Sequence, residues 1–217
     1  MKQYPSIDYW NKGILGTYVY GFDKIDGSNL RSEYSFKNSK KNTYTNGFDK
    51  FGTRTQMTCA ADENWGQGVR LFIEKYSEGL NKIFHDDKDF RNAKKITTFF
   101  EFYGPNSFAG WHDPEDKLNN RMDVVLFDVD VYQKGFIRPK DFIEKFQHLG
   151  IPTIVYEGNY NMSLIEDVRN NVYGLNEGLV VKGTTKTKRK DVENVWMSKI
   201  KTLQWLQKVK GIQVFVS

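Results

Sequence analysis

Six apolar runs rich in β-branched and aromatic residues, "ILGTYVYGF", "KITTFFEFYG", "DVVLFDVDVY", "PTIVYEG", "GLVVKG" and "NVWMSKIK", are each bounded by Gly, Pro, Asn or Asp. Runs of this kind read as strands, so the chain must be built on sheet. Helical periodicity lies between them: "GVRLFIEKYSEGLNKIF" puts Val69, Phe72, Ile73, Tyr76, Leu80 and Ile83 on one stripe. "RPKDFIEKFQHLG" has Pro139 at an early helical position and Gly150 as a stop. A shorter helix is expected from Ser163, with Glu166 at capping-box spacing, and a last one over "TLQWLQKVKG", ending at Gly211. The segment order is irregular, which favours an α+β, largely antiparallel protein over a doubly wound α/β sheet.

With 217 residues the expectation is a single domain over residues 1–217. No stretch of about 20 apolar residues occurs, and "MKQYPSIDYWNKG" lacks a signal-peptide apolar segment, so no membrane and a cytoplasmic location are expected. Cys59 is the single cysteine and His85, His112 and His148 are scattered, which excludes a disulfide framework and any recognisable Cys/His zinc site. Cys59 reads as a small buried hydrophobe, and residues 35–49 ("SFKNSKKNTYTNGFD") as a hairpin or loop. Residues 182–210 hold nine Lys/Arg against two acids, more than the whole basic excess of the +5 chain. This segment suits a phosphate-rich partner, or is a solvated loop at "TTKTKRK".

Five places could carry chemistry. In "YGFDKIDGSNLR", Lys24 follows an aromatic strand and precedes Asp26 and Gly27, so a sheet could hold the amine at a cleft while Gly27 admits a ligand. It could equally be a solvated lysine at a strand end. Glu101 sits inside the aromatic run "TFFEFYG"; it points to solvent by alternation or accepts hydrogen bonds from a bound hydroxyl or a lysine. In "VVLFDVDVY", Phe127 is expected opposite Asp128 and Asp130, as a core residue or stacked on a purine. Glu177 and Lys182 end the run "EGLVVKG" on opposite faces by parity, meeting a metal-bound water and a phosphate, or simply capping the strand. Lys199 and Lys201 share one face of "VWMSKIK", unfavourably unless an anion lies between them. A lysine attacks phosphorus only as the free amine, a form that neighbouring cations favour, so this pair could serve Lys24. "GQGVR" follows no strand and lacks the third glycine of a dinucleotide fingerprint, no G-x-x-x-x-G-K-[ST] occurs, and "WHDPED" lacks calcium-loop spacing.

Taken in order, Lys24-Ile25-Asp26-Gly27, "FFEFYG", "LFDVDV", "EGLVVKG" and "SKIK" resemble motifs I, III, IIIa, IV and V of the covalent nucleotidyltransferases, the superfamily of polynucleotide ligases and mRNA capping enzymes. The resemblance runs from about Tyr20 to Lys201. It implies two largely antiparallel sheets with flanking helices and a nucleotide cleft between them. It also implies that Lys24 takes AMP from ATP with release of pyrophosphate, that AMP passes to a 5′-phosphate, and that a 3′-hydroxyl displaces it to seal the strand. By resemblance Asp26, Gly27 and Asn29 belong to the nucleotide site, Glu101 holds the ribose and Phe127 stacks on the base. Glu177 is associated with the metal, directly or through water, Lys182 belongs to the nucleotide site, and Lys199 and Lys201 contact phosphate. Arg54 in "FGTRTQ" is similar to the arginine that approaches the nucleotide or the 5′-phosphate.

Asn29 gives K-x-x-G-x-N, as in the RNA ligase 2-like group, where many DNA ligases have arginine. The resemblance therefore implies an ATP-dependent RNA ligase acting on RNA, including nicked duplex or RNA/DNA hybrid, with Mg2+. Arg31 keeps a minimal DNA ligase open, and the basic segment allows a non-catalytic nucleic-acid-binding protein that retains the fold. The chain runs 16 residues past Lys201, too few for the C-terminal OB domain of DNA ligases and capping enzymes. A protein partner, or residues 186–190, is then expected to hold the strand.

Overall fold

The computed structural model describes residues 1–41, 44–91, 93–104, 122–186 and 193–210. The chain folds as two compact units, one of Met1–Tyr4, Gly27–Ile137 and Asp141–Ile151, the other of Pro5–Asp26, Arg138–Lys140 and Pro152–Ser217. They are called the first and second unit below.

The second unit is built on β1 (Asp8–Tyr9), β2 (Tyr18–Asp23), β9 (Ile154–Asn159), β10 (Gly178–Lys186) and β11 (Glu193–Lys201), in the spatial order β1-β11-β10-β2-β9. The pairings are antiparallel apart from β1 with β11. One face is apolar: Val19, Leu179, Val181 and Ile200 pack with Leu164, Ile165 and Val168 of the helix Met162–Arg169. That helix starts one residue before Ser163, because the Asn161 side chain accepts from the Leu164 N–H at 2.8 Å and serves as the cap. The other face carries Phe22, Val180 and Lys199 in one cross-strand row and Tyr20, Lys182 and Met197 in the next. After β11 comes the helix Leu203–Lys210, whose first turn is capped by Thr202 accepting from the Trp205 N–H; the expected stop at Gly211 lies outside the described residues.

In the first unit the sheet runs β5-β4-β3-β6-β7-β8, from β3 (Ser28–Tyr34), β4 (Phe48–Thr53), β5 (Met57–Thr58), β6 (Ile96–Tyr103), β7 (Asp123–Val131) and β8 (Gly135–Phe136). Against one face lie the helices Gly66–Phe72 and Glu78–Asp86, and Phe72 stacks on Phe100 with ring centroids 4.4 Å apart. The predicted continuous helix is interrupted by a π-helical turn, Ile73–Ser77. Its extra residue shifts the stripe: Val69, Phe72, Ile73, Tyr76 and Leu80 are buried as expected, but Phe84 replaces Ile83. The helix Pro139–Phe146 ends through a short 3-10 turn at Gly150, whose φ of 89° is open to glycine.

All six predicted strands form, and the α+β, two-sheet expectation holds. Cys59 is exposed rather than buried, since it follows the two-residue edge strand β5. Residues 35–49 hold a four-residue helix, Phe36–Ser39, and the start of β4. Among the described residues no helix is long and apolar enough to cross a membrane. Phe100 is fully buried against Phe72, so Phe100→Ala should cost about 3–5 kcal/mol of stability. Urea unfolding checks this: the midpoint should fall with little change in slope.

Candidate active site

In the second unit one carboxylate collects three chain segments. Lys24 lies just past β2, where its N–H donates to the Gly178 carbonyl at 2.9 Å. Glu177 immediately precedes β10 and is 2% exposed. Its Oε2 accepts from Lys24 Nζ at 2.7 Å and its Oε1 from Lys201 Nζ at 2.8 Å. The Glu177 carbonyl is also tied to the end of β11 by the Thr202 N–H at 3.1 Å. Gly178 makes the crossing possible, because a Cβ there would lie 2.1 Å from the Ile200 carbonyl oxygen.

Two expectations are corrected here. Parity placed Glu177 and Lys182 on opposite faces, but Glu177 precedes the regular strand and Gly178 breaks the alternation with a φ of 152°. The carboxylate therefore reaches Lys201, which shares the face of Lys182 and Lys199. Nor does the lysine pair depend on an outside anion alone: Lys201 has Glu177, and Lys199 Nζ sits 4.5 Å from the centre of the Tyr9 ring. The alternation of β11 itself is as expected, with Ser198 and Ile200 buried on the other side.

Around this pair the site closes through Trp205. Lys201 Nζ lies 3.4 Å over its ring, and the indole N–H makes a long 3.5 Å contact to Asp26. Burial pushes the Lys201 ammonium below the ordinary lysine value, against the upward pull of Glu177 and with help from the Lys24 charge. Burial, then the charge of Glu177, raises the Asp23 carboxyl, whose Oδ1 is buried without a hydrogen-bond partner. Lys182 is 4% exposed with its Nζ 5.1 Å over the Phe22 ring.

The first unit gathers a second group. Asn29 and Glu101 are direct cross-strand partners on β3 and β6, so their side chains share a face. Gly27 adjoins them: a Cβ at this position would lie 2.7 Å from both Glu101 Cγ and the Phe102 carbonyl oxygen. Glu101 is half-buried, and Asn29 Oδ1 is buried without a donor. Arg54 is exposed in the turn after β4. Arg31 is buried and donates to the Lys2 carbonyl at 2.8 Å.

Phe127 departs from simple alternation. Phe99 faces Asp128 and Phe100 faces Leu126, so Phe127 is the extra residue of a β-bulge. In a bulge neighbouring side chains can turn to the same side, and here Phe127 and Asp128 both touch Tyr4. The Tyr4 ring meets Phe127 edge-on at 5.0 Å, and its hydroxyl donates to Asp128 at 2.9 Å. Burial, then Asp128, holds the Tyr4 hydroxyl well above its ordinary value. The sequence carries no signal that sets Tyr4 or Tyr9 apart, since both lie outside any periodic run, and Trp205 reads only as part of a helix.

The donor set fits a polyphosphate and a hard divalent ion within limits. The lysines of the second unit match phosphate oxygens, and the buried Asn29 Oδ1 is an acceptor ready for a ligand donor. Among the described residues no group of three or more His, Cys, Asp or Glu side chains gathers to hold a metal. Each Glu177 oxygen already accepts from an ammonium. A Mg2+ ion would then rely on phosphate oxygens and water, with Glu177 as the protein carboxylate nearest the lysines.

The Lys201 shift predicts a pH dependence of stability. A lysine whose folded pKa lies below its unfolded value binds fewer protons in the native state, so stability rises with pH through the window just below the usual lysine range. Compared with Lys201→Met by urea unfolding at successive alkaline pH values, the native chain should show the extra rise. A fall in that window would contradict it.

No protein-family model matches the chain, and no curated protein does. Solved structures do match. An RNA ligase of Naegleria gruberi with PPi gives a TM-score of 0.65 at 12% identity, over 98% of this chain and 59% of that one. A lysine-to-alanine variant of the same ligase with ATP and Mn gives 0.63 at 14% identity, over 96% and 58%. A glutamate-to-alanine variant with AMP and Mn gives 0.62 at 13% identity, over 98% and 59%. The chain thus spans a little under three fifths of the length of these ligases, and it has their nucleotidyltransferase fold.

Proposed function

We propose that the chain is a single adenylyltransferase domain of an ATP-dependent RNA ligase. The observation that carries this reading is the bonding of Glu177 to both Lys24 and Lys201, which joins the residues of three motifs at one buried carboxylate. Lys24, as the free amine, attacks the α-phosphorus of ATP. A P–N bond forms, the bond to the β-phosphate oxygen breaks, pyrophosphate leaves and the lysine gives up a proton. A 5′-phosphate oxygen of the strand then takes the AMP from Lys24, and a 3′-hydroxyl attacks that phosphate and releases AMP.

Lys182, Lys199 and Lys201 offset the charge of the triphosphate and of the departing pyrophosphate. Glu177 holds Lys24 and Lys201 in place until phosphate arrives. Glu101 accepts from the ribose, Phe127 stacks on the base, and Asp26, Gly27 and Asn29 complete the nucleotide site. Arg54, exposed, is free to meet the 5′-phosphate. Mg2+ supplies charge neutralisation on the phosphates when bound.

Support also comes from the solved ligases, whose complexes with ATP, with AMP and with PPi hold the reactant and two products of such a reaction. RNA is favoured over DNA by Asn29, and Arg31, the residue that kept DNA open, is engaged with the Lys2 backbone. A partner, or the basic stretch at 186–190, most of which lies outside the described residues, would hold the strand.

The test is incubation with magnesium and ATP labelled at the α-phosphate, followed by denaturing electrophoresis. Label from ATP but not GTP should survive, and Lys24→Ala should abolish it. An unlabelled native chain would leave a nucleic-acid-binding role, while label from GTP would mean capping chemistry. Sealing of nicks with RNA or DNA at the 3′-hydroxyl side then decides the strand; a strict DNA requirement would reverse the choice.

A further inference from the structure

The π-helical turn and the bulge of β7 meet in the first unit. Lys75, in the turn, donates to both carboxylate oxygens of Asp123, at 3.0 and 2.9 Å, and to the Val124 carbonyl at 2.8 Å. The next residue, Tyr76, is fully buried, and its hydroxyl accepts from the Leu126 N–H at 3.2 Å while donating to the Gly150 carbonyl at 2.7 Å. Leu126 is the residue before the bulge, so the helix layer grips β7 up to the point where the ladder slips.

A bulge disrupts the ladder locally, and a buried N–H beside it is costly unless something accepts from it. The Tyr76 hydroxyl is such an acceptor. On the opposite side of the sheet Tyr4 holds Asp128, the residue after Phe127. Phe127 is therefore bracketed by two buried tyrosine hydroxyls, one acting on the backbone before it and one on the side chain after it. The extra residue of a bulge is left out of the ladder, so its ring direction depends on the residues on either side, and these two bonds hold those. The single-turn π insertion has a matching cost, a local departure from α-helical bonding, and such insertions occur often at functional sites.

We infer that Tyr76 is a positioning residue for nucleobase recognition: through the Leu126 N–H it fixes the bulge that aims the Phe127 ring at the base. This rests on the proposed function, in which Phe127 stacks on the base. Tyr76 itself touches no nucleotide, and its effect is confined to the base, leaving the phosphate contacts of the second unit untouched.

The experiment measures affinity for AMP, which cannot transfer its adenylyl group to Lys24, by calorimetry on the full chain. Tyr76→Phe, Phe127→Ala and the double variant are compared with the native protein. In parallel, inorganic tripolyphosphate competes against labelling of Lys24 by ATP, as a probe without a base. Tyr76→Phe should weaken AMP binding by about three- to tenfold, a part of what a base–aromatic stack provides. Inhibition by tripolyphosphate should not change, and in the Phe127→Ala background the loss of the hydroxyl should have no further effect.

Unchanged AMP affinity in Tyr76→Phe would overturn the inference. So would equal weakening of AMP and tripolyphosphate, which indicates general loosening, or independent losses that multiply in the double variant. If the native chain neither binds AMP nor takes label, the proposed function fails first and this inference falls with it. A native chain that does both, beside an unaffected Tyr76→Phe, removes the inference alone.

Discussion

The buried carboxylate of Glu177, bonded to Lys24 and to Lys201, is the interaction on which the second unit depends. A lone carboxylate at 2% exposure would be strongly disfavoured, and removing one partner of a buried ion pair commonly costs several kcal/mol. With two ammoniums it is satisfied, and each partner lies at the end of a different strand, Lys24 after β2 and Lys201 at the close of β11. The same contact that satisfies the charge therefore fixes where those strands end. The Lys24 N–H to Gly178 carbonyl bond and the Thr202 N–H to Glu177 carbonyl bond repeat the constraint in the backbone. The nucleophile of the proposed reaction is positioned from both ends, by its main chain and by its amine.

How much of this was legible follows from which rule each residue obeys. β11 obeys period-two alternation throughout, so the shared face of Lys199 and Lys201 could be read directly. Glu177 could not be placed by that rule, because the strand begins one residue later at a glycine whose absent side chain lets the backbone pass the Ile200 carbonyl. Phe127 failed for the same physical reason in another form, an extra residue in one strand that no residue type announces. The periodicity from Val69 onward gives the helix in kind, but with the π-helical turn the buried position after Leu80 is Phe84 rather than Ile83.

No apolar run marks β3 as a strand, although it is central in its sheet between β4 and β6. Its sequence, "SNLRSEY", is polar, yet Arg31, Ser32 and Glu33 are buried. Each has a specific partner: the Lys2 carbonyl for Arg31, Thr98 for Ser32, and Lys50 with Lys95 for Glu33. Those partners lie between 17 and 66 residues away in sequence, so hydropathy cannot anticipate them. Asn29, the second residue of the same strand, has no partner for its Oδ1, as Arg31 has none for its Nε, and Asn29 is also the residue that completes K-x-x-G-x-N.

The lysine face of the second unit carries this difference between structural and functional polarity furthest. Lys182, Lys199 and Lys201 project from a sheet whose other side is a hydrocarbon core, with Lys24 close by and Glu177 as the carboxylate that two of them share. Tyr9, Phe22 and Trp205 lie under the ammoniums and supply only weak, directional attraction. Burial still holds Lys201 below its ordinary value despite a direct carboxylate bond, so this fold carries a standing electrostatic cost there. A stable fold has no need of that arrangement, since apolar residues at the same positions would pack without it. A polyanion gains most from charges already fixed and desolvated, because they need no reorganisation when it binds. On the proposed function a bound triphosphate offsets that cost, which is why the proposal places the phosphates at the lysine face.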